Sequence, residues 1–148
     1  MTLSNPSDSP RARGFTLIEA LVALLVLSIG LLGVAALQLS SLRSNHSSSL
    51  RSQATLLAYD IVDRMRANQN AARGGAYDLA LTATPTGGTV AGDDLVRWKQ
   101  NLANTLPSGT GAVARTGSGS ATKFTITVRW DDSRGASAAL AFVMETQI

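Results

Sequence analysis

The sequence predicts an α+β chain: one long N-terminal α-helix whose second half carries a small head built on an antiparallel β-sheet. Three observations predict it. Residues 15–37 are an almost unbroken apolar run, residues 50–65 place apolar side chains three or four apart, and "KFTITVRW" at 123–130 alternates apolar with polar. The chain has 148 residues, room for one domain of ordinary size, and its 45% hydrophobic content is inflated by the apolar run. The globular part is therefore small.

Composition removes several function classes. The absence of cysteine excludes a disulfide framework, a thiolate zinc site and a cysteine nucleophile, without fixing the compartment. The formal charge of +3 comes from 13 basic and 10 acidic side chains scattered along the chain. A protein that tracks phosphates carries a clustered basic patch, and none is visible, so nucleic-acid binding is not expected.

Residues 1–14, "MTLSNPSDSPRARG", are polar, hold two prolines and end with Arg11 and Arg13 before Gly14. From Phe15 to Leu37 there are 23 residues with Glu19 as the sole ionisable side chain. About 20 apolar residues suffice to cross a bilayer as a helix. Arg11 and Arg13 favour an N-terminus retained in the cytoplasm and a C-terminus outside, although Arg43 and Arg51 weaken the asymmetry. An ordinary secretory signal with a small-residue cut at Val34-Ala35-Ala36 is one alternative, but Ala20–Leu37 is 18 residues long, against roughly 7–15 for the apolar region of such a signal. A plain single-pass anchor is another. Neither gives a purpose to Glu19, whose carboxylate in hydrocarbon costs at least a few kcal/mol unless it has a partner or a function.

The stretch Gly14-Phe15-Thr16-Leu17-Ile18-Glu19 resembles the class III signal of type IV pilins and type II secretion pseudopilins: a short basic leader ending in glycine, then phenylalanine, then glutamate fifth in the mature chain. The continuation "ALVALLVLSIGLLGVAALQ" resembles the PilV type of minor pilin in particular. The resemblance implies a pilin-like fold and a defined route. A prepilin peptidase cuts between Gly14 and Phe15 and methylates the new amino group of Phe15, with Arg11 and Arg13 supplying the leader charge. A glycine before the cut permits close approach of backbone to the catalytic groups. Glu19 then meets the charged amine of a neighbouring subunit, which aligns the two more than it binds them, because desolvation consumes much of the attraction. The implied function is that of a minor pilin helping to initiate or cap type IV pilus assembly, with an I-type minor pseudopilin of the type II secretion system as the alternative. The implied partners are the prepilin peptidase, other minor pilins and the major pilin, the inner-membrane assembly platform, and a tip adhesin as a further candidate. The implied location is the bacterial inner membrane, head in the periplasm, and then the pilus at the cell surface.

Residues 15–39 are accordingly the transmembrane or filament-core helix, and residues 40–73 its amphipathic half. Leu50, Ala54, Leu57, Ile61 and Met65 form the stripe, with Arg51, Asp60, Asp63, Arg64 and Arg66 off it. Asp60 and Arg64 are an i,i+4 pair in the favourable order, and Arg73 before Gly74-Gly75 marks the expected end. Such a helix would run about 58 residues and roughly 85 Å, weakest in the serine-rich stretch at 40–52. Gly30 and Gly33 suit either close packing or local melting. Many major pilins bend this helix at a proline, and no proline lies between residues 11 and 84.

The head takes residues 74–148. Residues 76–92 read as a surface connection. A short helix is expected over 94–106, capped by Asp93 or Asp94, with Leu95, Trp98, Leu102 and Leu106 on one face and Pro107 ending it. An antiparallel sheet is expected over 111–148: a weak strand at Val113, then Phe124, Ile126, Val128 and Trp130 inward, then Leu140, Phe142 and Met144 inward. His46, the one histidine, has no acid partner in sequence and reads as a solvated helix position. Asp131 and Asp132 read first as turn chemistry, lacking the oxygen-ligand spacing of a calcium loop. No metal, cofactor or enzymatic activity is expected.

Overall fold

A computed structural model describes residues 14–133 and 135–148. Helix α1 runs from Leu17 to Ala67, 51 residues, and stays helical through Gly30, Gly33 and the serine-rich stretch. It takes part in two compact units, one up to Arg43 and one from Ser44 to Ile148. In the first unit the large apolar side chains from Phe15 to Leu42 are exposed, and the helix is long and apolar enough to cross a membrane.

The second unit holds the core. Here α1 is amphipathic: Leu50, Ala54, Ala58, Ile61, Val62 and Met65 are buried, while Leu57 is half-buried. The helix does not reach Arg73 unbroken. Asn68 leaves helical geometry (φ −121°, ψ 50°), and a short α2 follows over Gln69–Arg73. Asparagine readily exchanges helix geometry for local side-chain hydrogen bonds, and the Asn68 amide donates to the Tyr77 hydroxyl at 3.4 Å. Gly75 then turns the chain at φ +90°, where a Cβ would also crowd Arg115 and Asp78.

Helix α3 spans Val90–Thr105, one turn longer at its start than expected. The cap is Thr89 rather than Asp93 or Asp94, its Oγ1 accepting from the Gly92 N–H at 3.0 Å. Asp93 instead accepts from the Gly88 N–H at 3.1 Å, and Asp94 is taken by Arg64 and Tyr77. Leu95, Trp98 and Leu102 are buried on α3 and Leu106 at its C-cap.

Three antiparallel strands, β1 (Thr110–Thr116), β2 (Lys123–Trp130) and β3 (Leu140–Gln147), pair in the order β1-β2-β3. Val113 faces Ile126, which faces Met144, and Gly111 faces Val128, which faces Phe142. This register puts one apolar face against the core: Phe124, Ile126, Val128 and Trp130 are buried, while Leu140, Phe142 and Met144 are half-buried beside them. Turn chemistry at Asp131 is as expected, its carboxylate accepting from the Ser133 and Gly135 N–H groups. Asp132 reaches back to α1, where the Ser47 hydroxyl donates to it at 3.1 Å.

Trp98 joins the layers. Its Nε1 donates to the Leu57 carbonyl of α1 at 2.8 Å, and the far edge of its ring lies where a Cβ on Gly111 of β1 would collide with it. The connection after α2 is not all surface either. Tyr77 and Leu79 are buried, and Leu79 makes an isolated antiparallel bridge with Val113. The Tyr77 hydroxyl donates to Asp94 at 2.7 Å, and Arg64 bridges Asp94 and Asp60, each at 3.1 Å.

Gly111→Val is expected to cost about 1–3 kcal/mol by overpacking against the indole. A lower urea midpoint for the full chain in micelles, followed by tryptophan fluorescence, checks this. Burial and the neighbouring Asp94 push the Tyr77 hydroxyl up to about 12 from its ordinary 10. The folded state therefore keeps a proton that the unfolded state sheds above pH 10. The stability contributed by that proton is whole below pH 10 and is lost as pH rises toward 12. Tyr77→Phe is expected to flatten this alkaline fall in melting temperature.

Candidate processing and assembly site

Helix α1 starts at Leu17 because Thr16 caps it. The Thr16 carbonyl accepts from the N–H groups of Glu19 at 3.1 Å and Ala20 at 3.2 Å, and the Thr16 hydroxyl is 3.4 Å from the Glu19 N–H. Thr16-Leu17-Ile18-Glu19 has the spacing of a capping box, threonine at the cap and glutamate three residues on. The reading of Glu19 purely as an expensive charge missed this. The threonine-to-glutamate spacing before an apolar run was the available signal.

Glu19 thus sits in the first turn, where the helix dipole favours a negative charge. That local support does not neutralise it. The carboxylate has no ion-pair partner among the described residues, and it borders a shallow apolar surface made by Ile18, Val22, Ala23, Val26 and Leu27. Ala23, Val26, Gly30 and Gly33 follow it at four, seven, eleven and fourteen residues, on the same side of the helix. A Cβ on either glycine would meet nothing within 4 Å, so their smallness serves no tertiary contact among the described residues.

Just before the cap, Gly14 is exposed and equally uncrowded, and Phe15 is 71% exposed. The structure therefore gathers Gly14, Phe15 and Glu19 within the exposed first turn of α1 and its approach. Arg11 and Arg13 lie outside the described residues. His46 is exposed on α1. Lys99 and Tyr77 were not singled out by the sequence, because a lone lysine on a helix and a lone tyrosine in a turn-rich stretch carry no spacing signal.

Two family models match the chain. Residues 9–35 match the prokaryotic N-terminal methylation motif, and residues 36–93 match the type IV pilin Tt1218 model. The first covers the Gly14, Phe15 and Glu19 region and the apolar part of α1. The second covers the amphipathic half of α1, α2, the connection and the start of α3. No curated protein and no solved structure matches.

Proposed function

Because the chain belongs to the type IV pilin family and carries its N-terminal methylation motif, we propose that it is a minor pilin of the PilV type that helps initiate or cap type IV pilus assembly. Membership makes it a structural subunit and not an enzyme. The observation that carries the reading is the Glu19 carboxylate, without an ion-pair partner among the described residues, at the head of a helix whose next 23 residues contain no charge. A group of that kind needs a cation from outside the chain.

Cleavage after Gly14 supplies one. The new amine of Phe15, methylated but still protonated, stands four residues before Glu19 of the same chain, just ahead of the Thr16 cap. Glu19 pairs with the amine of a neighbouring subunit, and the two helices are staggered by about one turn. Opposite charges about 4 Å apart attract by roughly 4 kcal/mol at an effective dielectric of 20. Desolvation offsets much of this, so the pair specifies register. Gly30 and Gly33 then let a neighbouring helix approach closely along the Glu19 side. The leader is residues 1–14, the filament-core helix 15–39, its amphipathic half 40–73 and the head 74–148. The chain is anchored in the inner membrane with its head in the periplasm before it enters the pilus. Prepilin peptidase, other minor pilins, the major pilin and the assembly platform are its partners, with a tip adhesin as a further one. The match to a type IV pilin model over residues 36–93 favours a pilus over an I-type pseudopilin.

Gly14→Leu is expected to leave the full precursor in the inner membrane. Intact mass of the extracted chain checks this, and normal loss of residues 1–14 would sink the processing assignment. Glu19→Ala is expected to be cut normally yet to fail in assembly, so that cells carrying it as the sole copy show fewer surface pili and lower recovery of partner pilins. Wild-type counts and recovery would remove Glu19 as the register element.

A further inference from the structure

Lys99 projects from α3 into a cleft of about 520 Å³ between the connection and the start of β1, lined among others by Thr82, Thr84, Pro85 and Ala103. Its ammonium donates to the Leu81 carbonyl and to the Thr110 hydroxyl, both at 2.8 Å, and the Thr110 hydroxyl itself reaches the Leu81 carbonyl at 3.1 Å. An ammonium has three protons, and two are used on neutral oxygens. No carboxylate lies within ion-pair distance of it among the described residues. Burial lowers its affinity for its proton. This is a part-buried cation with one donor left over, bordering an open cleft whose rim includes Thr82 and Thr84 and the apolar Pro85 and Ala103.

We propose that this cleft is a carboxylate-binding site, in which one oxygen of the ligand accepts the third Lys99 proton and the other faces the threonine rim. A carboxylate supplies the missing opposite charge and forms a charge-assisted hydrogen bond, the stronger kind. Its short apolar stem lies against Pro85 and Ala103. Two sources carry this chemistry, a free small acid and the acidic side chain of another polypeptide. The site does not depend on the pilin reading, since Lys99 is remote in sequence from Gly14, Phe15 and Glu19 and lies in the other compact unit.

The chain has two lysines, Lys99 and Lys123, so 13C-lysine labelling of the full chain in non-ionic maltoside micelles gives one reporter and one internal control. Titration with sodium acetate is expected to shift the Lys99 Cε signal saturably, with a Kd on the order of millimolar for so small a ligand, and to leave Lys123 in place. Acetamide, and sodium chloride at matched ionic strength, should do neither. A still Lys99, or both lysines moving together, overturns the site. N-acetyl-glutamate N-methylamide separates the sources: binding about tenfold tighter than acetate indicates a polypeptide side chain, and equal binding indicates a free acid. Ala103→Glu places a carboxylate one turn from Lys99 on the exposed surface of α3. It is expected to weaken acetate at least tenfold by occupying the site from within, and unchanged acetate affinity in that variant would also refute the assignment.

Discussion

The head depends on one side chain reaching across three layers. The Trp98 indole spans from the backbone of α1, where it donates to the Leu57 carbonyl, to β1, where Gly111 leaves space for the ring. A fully buried tryptophan contributes a large apolar area, and its N–H must find an acceptor or cost about 1–3 kcal/mol. Placing that acceptor on a helix carbonyl constrains how α3 lies on α1. The glycine then constrains how closely β1 lies on α3. Trp130 offers the contrast: its indole N–H is buried with no acceptor among the described residues, and it fills space without tying layers together.

A second constraint acts on the connection between α2 and α3. A segment rich in turn formers has little apolar area with which to anchor itself. Two polar groups help to hold it, beside the buried Tyr77 and Leu79 and the Leu79–Val113 bridge. Tyr77 fastens the near end to Asp94, and Lys99 fastens Leu81 to the start of β1. The two ion pairs of Arg64 are part-exposed and worth roughly 0.2–1 kcal/mol each. They matter more for orienting Asp94 toward Tyr77 than for their own energy.

The parts legible in sequence were those with a period. The stripe from Leu50 to Met65 and the alternation of 123–130 and 140–144 placed the amphipathic half of α1, β2 and β3, because burial on one face repeats along the chain. Glu19 was legible for the opposite reason, being the one break in a uniform run. What could not be read depends on contacts between distant residues or on a choice among equivalent caps. Thr89 is the cap while Asp93 accepts from the Gly88 N–H, Asp94 is taken by Arg64 and Tyr77, and Gly92 packs against the Thr86 carbonyl. Asn68 interrupts the helix with Tyr77 as its neighbour.

The sequence separations of the closing contacts set when the head can form. Ser47 meets Asp132 across 85 residues, and the Arg73 guanidinium donates to the Ile148 carbonyl across 75. The hairpins β1-β2 and β2-β3 are local and form quickly, whereas the stripe of α1 has no sheet to cover it until residues 123–147 exist. Long-range closure of this kind slows folding and lengthens the time that apolar surface stays bare. During synthesis the amphipathic half of α1 therefore waits, uncovered, for the final quarter of the chain to emerge. In that interval the nascent protein is most in need of a chaperone or of the membrane surface itself.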